Sequence, residues 1–152
     1  VRDIAPGDVS VQKLGAKSVG RIGNPTYLPQ NIERIPGDQY VPLPDLQNLD
    51  EYRAVYHEEA LWRPAIDEIR RRHGLADEPC QRVPVGTHLV YYAGPYHVIK
   101  LFVPLFESDF VAETLVIRHV EGKLGVTTPR IVHQGEITGW RYLVMTRVPG
   151  HP

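Results

Sequence analysis

The sequence predicts an α+β fold: an antiparallel, about five-stranded sheet with one packed helix, preceded by two helices and a non-regular leader. Three observations lead there. After residue 80, short apolar stretches rich in β-branched and aromatic residues alternate with Gly- and Pro-containing turns. One helix-period stripe, Phe106, Phe110, Glu113, Ile117 and Val120, interrupts that strand series. Residues 45–73 carry helical apolar spacing, whereas residues 1–44 carry no period at all.

The leader, 1–44, is punctuated throughout by Gly and Pro, which favours turns and extended chain over packing. Within it, Gly15-Ala16-Lys17-Ser18-Val19-Gly20-Arg21-Ile22 has the glycine spacing of a phosphate-binding loop. That loop needs Lys and then Ser or Thr after the second Gly, and here Arg21 and Ile22 stand there. The spacing is read as chance.

The first helix opens at Asn48, a capping residue followed by acids, with Leu49, Tyr52, Val55 and Tyr56 on one face. The second runs from Glu58 or Glu59 to His73, and Pro64 favours a start nearer Trp62. Its end, Arg70-Arg71-Arg72-His73 before Gly74, reads as a solvated helix terminus where cations suit the dipole. Strands follow at Gln81–Pro84, His88–Ala93 and Tyr96–Val103, with turns at Gly86-Thr87 and Gly94-Pro95. A helix over Phe106 to Lys123 leads to strands at Arg130–Gln134 and Trp140–Thr146, joined by a turn from Gly135 to Gly139.

Composition bounds the function classes. The chain has 152 residues and a formal net charge of -1, which gives no electrostatic case for nucleic acid or an anionic membrane. A single cysteine, Cys80, cannot form a disulfide framework or a zinc set, so a reducing, cytoplasmic setting is the default. The seven histidines show neither metal-ligand spacing nor acidic company and read as surface or turn residues.

One pair of charges stands out. In the third strand Val98, Lys100 and Phe102 share a face, and Ile99, Leu101 and Val103 share the other. Lys100 is the one charge in that run, and Glu113 is the one charge in the helix stripe that follows. Charges on apolar faces are costly unless paired, so each is read as the other's partner. The competing reading of Lys100 is an edge-strand lysine reaching out to water.

The stretches Val85-Gly86-Thr87-His88-Leu89-Val90-Tyr91, Val98-Ile99-Lys100-Leu101-Phe102, Phe110-Val111-Ala112-Glu113, Thr128-Pro129-Arg130-Ile131 and Trp140 through Gly150, in this order, resemble the N-terminal lobe of the aminoglycoside phosphotransferase family, which shares the protein-kinase-like fold. The resemblance spans 45–152 and implies an ATP-binding lobe truncated at its hinge. By resemblance Lys100 contacts the ATP phosphates and pairs with Glu113. Gly86, Thr87 and His88 form the tip of a phosphate-covering turn. Met145 backs the adenine pocket, and the Thr146 carbonyl and Val148 N–H meet adenine. The catalytic aspartate and the Mg ligands are expected in a missing C-terminal lobe that packs on the hinge face. The implied activity is transfer of the ATP γ-phosphate to a hydroxyl of an aminoglycoside or similar metabolite. The alternative is a non-catalytic nucleotide-binding or interaction module, a degenerate kinase-like lobe. In either case the exposed hinge face should make the isolated chain prone to self-association.

Overall fold

The computed structural model describes residues 41–149. The phosphate-loop-like glycines and most of the leader lie outside them, as does Gly150. Within them the order is α1 (Leu49–Val55), α2 (Glu59–Arg72), β1 (Cys80–Val83), β2 (Leu89–Ala93), β3 (His97–Leu101), α3 (Glu107–Val120), β4 (Ile131–Ile137) and β5 (Trp140–Thr146). The five strands form one antiparallel sheet in the order β1-β2-β3-β5-β4. Two helices, then three strands, a helix and two strands is the expected α+β arrangement.

Strand alternation divides the core in two, as β3 shows most clearly. Ile99, Leu101 and Val103 pack into the larger cluster with Trp62, Ala65, Ile66 and Ile69 of α2. Those four recur at helical spacing and are fully buried, each worth about 1.5–3 kcal/mol for the larger side chains. Phe102 goes the other way, with Val98 beside it, into a second cluster with Phe110 and Ile117 of α3 and Leu143 and Met145 of β5. Val41 is buried in the larger cluster, and its carbonyl accepts a bond from Thr138 Oγ1 at 2.7 Å, so packing begins ahead of α1.

Local chemistry explains the element ends. Asn48 caps α1, its Oδ1 accepting from the Glu51 N–H at 3.0 Å while Glu51 reaches back to the Gln47 N–H at 2.8 Å. β4 and β5 meet at Thr138-Gly139, both at positive φ, the geometry a two-residue hairpin needs. The turn is therefore shorter than the expected Gly135–Gly139, and Gly135 lies within β4 opposite Tyr142. A Cβ at Gly135 would stand 2.5 Å from Tyr142 Oη, so glycine is what lets that ring lie flat on β4.

Several expectations are corrected. α2 starts at Glu59 rather than near Trp62, and Pro64 lies inside it. The bond Pro64 cannot donate would go to Ala60, which is exposed and open to water. Leu61 is likewise exposed instead of packing. α3 is shorter than expected, with a 3-10 turn, Pro104–Phe106, ahead of it. Phe106 packs against the larger cluster, and Thr114 takes a buried place in the α3 stripe.

The arginine run is not a solvated terminus. Glu68 is buried and takes bonds from Arg71 and Arg72 at 2.7 and 2.9 Å, and Arg72 reaches on to the Glu136 carbonyl at 3.0 Å. Arg70 is also buried. It bonds the Ala76 carbonyl at 2.6 Å and the Glu78 carbonyl, which ties the chain leaving α2 to the helix end. Two histidines are likewise not surface residues. His88 is buried, and half-buried His73 stacks on His133 at 4.1 Å while meeting Tyr142 Oη at 3.0 Å. Among the described residues, no helix is long and apolar enough to cross a membrane.

Candidate functional site

The site is built where β2, β3 and α3 face one another. Register places Val90, Lys100 and Leu143 in one row across β2, β3 and β5. Lys100 therefore rises from the α3 side of the sheet, where Val98 and Phe102 also point. α3 packs on that face through Phe110, Thr114 and Ile117, which turns Glu113 toward the sheet. The Lys100 ammonium and the Glu113 carboxylate form a direct hydrogen-bonded ion pair. Lys100 Nζ also lies 4.8 Å from the centre of the Phe102 ring. The two side chains keep 19% and 29% of their surface, so the pair borders solvent and a ligand can reach it.

An open groove of about 480 Å³ runs alongside this pair, lined by Gly86, Thr87, His88, Val90, Lys100, Asp109, Ala112, Glu113 and Val116. Five of the eight residues singled out from sequence thus share one wall: Gly86, Thr87, His88, Lys100 and Glu113. The other three do not line it. Met145 is buried on the same sheet face, opposite Val98 in the neighbouring row. Thr146 ends β5, where its N–H bonds the Arg130 carbonyl at 2.9 Å. The Arg130 N–H goes to Thr146 Oγ1 at 2.9 Å, so the Thr146 carbonyl takes no part in that exchange. Val148 follows β5 and is exposed.

The turn between β1 and β2 forms the rim. Gly86 has φ +138, a conformation side chains disfavour. Tyr52 of α1 bonds the Thr87 carbonyl at 2.9 Å from the far side, where a second groove of about 440 Å³ opens among Tyr52, Tyr56, His57 and Phe106. His88 turns its ring inward. Its Nε2 lies 3.1 Å from Asp109 Oδ2, and its Nδ1 accepts from the Val103 N–H at 3.4 Å. Burial holds its pKa below the ordinary histidine value despite Asp109, and the Lys100 charge acts in the same direction as burial.

Asp109 is the residue sequence reasoning missed. The available signal was its position four residues before Glu113, which puts both carboxylates on one side of α3. Both line the groove, and both are engaged, by His88 and by Lys100. Among the described residues no group of three or more His, Cys, Asp or Glu could hold a metal ion. Cys80 is half-buried, and burial raises its pKa, which disfavours a reactive thiolate.

No family model, no curated protein and no solved structure matches the chain.

Proposed function

We propose that this chain carries the ATP-binding half of a small-molecule phosphotransferase, built as a kinase-like N-terminal lobe. The observation that carries the reading is the Lys100–Glu113 pair, strand to helix, on the wall of a groove beneath the Gly86-Thr87 turn. Glu113 uses one of the three ammonium donors of Lys100, and the others are available to phosphate oxygens. About 480 Å³ falls within the range of small-molecule sites. Adenine would extend along the face carrying Val98 and Met145 toward the Thr146 carbonyl and the Val148 N–H.

The donors present fit a triphosphate better than they fit its magnesium. Asp109 and Glu113 are already committed, so the Mg ligands and the aspartate that accepts the substrate proton would come from the C-terminal half the resemblance implies. When bound, magnesium would offset phosphate charge; in this chain Lys100 positions the phosphates and the 86–88 turn shields them. The acceptor would be a hydroxyl of an aminoglycoside or similar metabolite, and the setting cytoplasmic.

The test is a MgATP titration of the 152-residue chain and its Lys100→Ala variant. The reading expects weak binding that falls at least about tenfold, about 1.4 kcal/mol. Lys100→Ala leaves the largely buried Glu113 carboxylate without its partner, so thermal melting is followed alongside to confirm that the variant is folded at the titration temperature. Unchanged affinity would remove the reading.

A non-catalytic nucleotide-binding or interaction module is the second reading. It is favoured by the engagement of both groove carboxylates among the described residues, Asp109 by His88 and Glu113 by Lys100. Coding sequence downstream of Pro152 distinguishes the two: a His-x-Asp loop and a later aspartate support the enzyme.

A further inference from the structure

We infer that His88 and Asp109 form a second sheet-to-helix rung beside Lys100–Glu113, whose task is to hold the Gly86-Thr87 turn at the spacing a triphosphate needs. This deepens the nucleotide reading above and rests on it. The first argument is the state of the ring. A backbone N–H can only donate, so the Val103 N–H fixes Nδ1 of His88 as an acceptor. The ring proton then sits on Nε2 and points at Asp109 Oδ2, 3.1 Å away. Both nitrogens are used. Phe102 and Phe106 flank the ring at 4.7 and 6.0 Å between centres, so it has little room to swing.

The second argument is placement. His88 follows the turn directly, and Asp109 precedes Glu113 by one helical turn. The two rungs therefore join the same helix face to the sheet side by side, one from the entry to β2 and one from β3. Both border the groove. The third argument is cost. The His88 side chain is only 4% exposed, yet its partner carboxylate is 50% exposed at the groove rim. A phenylalanine would bury its ring without needing to satisfy two nitrogens, so packing alone does not account for an imidazole here. The Val103 N–H and the Asp109 carboxylate hold the ring from its two nitrogens, and His88 adjoins the turn in sequence. Tyr52 holds the same turn from its other side through the Thr87 carbonyl. His88 and Asp109 are positioning residues; Lys100 is the group that meets phosphate.

The experiment uses the 152-residue chain with Asp109→Ala and Asp109→Asn. Asn retains an oxygen that can accept from Nε2–H; Ala does not. Amide exchange followed by NMR needs no nucleotide. Asp109→Ala should speed exchange at Val103, whose N–H bonds His88 Nδ1, by about tenfold, leave α2 and β5 unchanged, and be reversed by Asp109→Asn. Unchanged exchange at Val103, or an increase spread over the whole fold, overturns the inference and leaves the nucleotide reading standing. MgATP and adenosine titrations then ask what the rung does. Asp109→Ala should weaken MgATP about tenfold and adenosine less than about twofold, with Asn restoring most of the loss. An equal loss for both ligands, or a loss for neither, overturns the inference. If Lys100→Ala leaves MgATP affinity unchanged, the reading of the groove falls and the inference with it.

Discussion

Replacing Glu68 by Gln tests the polar network at the end of α2. The Glu68 carboxylate is buried and takes bonds from Arg71 at two positions, both 2.7 Å, and from Arg72 at 2.9 Å. Arg71 is 55% exposed, and its share is discounted for solvent screening. Arg72 is different: its side chain is 6% exposed, so it loses a charged partner out of contact with water while its other partners stay in place. Removing one member of a buried pair costs about 3–5 kcal/mol. The Arg72 bond to the Glu136 carbonyl remains and reduces this to about 2–4 kcal/mol. In urea, with a slope of about 1–2 kcal/mol/M, the midpoint should fall by about 2 M with the slope unchanged. The arginine bonds, that of Arg71 first, hold the Glu68 pKa below the ordinary carboxylate value in the fold. This stability is therefore present above pH 4.5 and lost as pH falls through the depressed value, and the variant should lose less on acidification. A midpoint shift corresponding to under about 1 kcal/mol would show that the helix end is solvated after all.

Other outcomes follow from the same packing. Burial, His133 and Arg72 push the His73 pKa down to about 4, below its usual 6.5. The fold thus favours neutral His73: its contribution is complete above pH 6.5 and lost as pH falls toward 4. Urea midpoints at successive pH values should show a shallower loss in His73→Gln over that window. Gly135→Ala should cost about 1–3 kcal/mol, read by thermal melting, because its Cβ meets the buried Tyr142 ring. Sedimentation should show self-association that Leu115→Lys reduces, since Val111 and Leu115 are apolar and exposed on α3 away from the groove. An unchanged sedimentation profile in that variant would place the contact elsewhere.

The succession of elements along the chain and the two-sided β3 were legible because periodicity is a local property of the chain. Ile99, Leu101 and Val103 parted from Val98 and Phe102 as the pattern required. The Lys100–Glu113 pair was legible for a related reason. Two charges on apolar faces in consecutive elements leave few alternative partners. What remained hidden depends on groups distant in sequence. His88 looks like a turn residue until Val103 and Asp109 supply both its bonds. The arginines after Ile69 look solvated until Glu136 and the chain beyond Leu75 close over them. Pro64 signalled a helix start because propensity argues locally, whereas the buried face from Trp62 to Ile69 holds the helix through it. Met145, Thr146 and Val148 rest on the resemblance alone, and the main-chain groups of Thr146 and Val148 carry no side-chain signature.

The most direct measurement of the central claim is an amide chemical-shift map of the chain titrated with MgATP. The account predicts shifts concentrated at residues 86–90, at Lys100 and at 112–116, extending toward Met145 and Val148, and absent in Lys100→Ala. Shifts centred on the second groove, around Tyr52, Tyr56 and His57, or a map indifferent to Lys100, would contradict it.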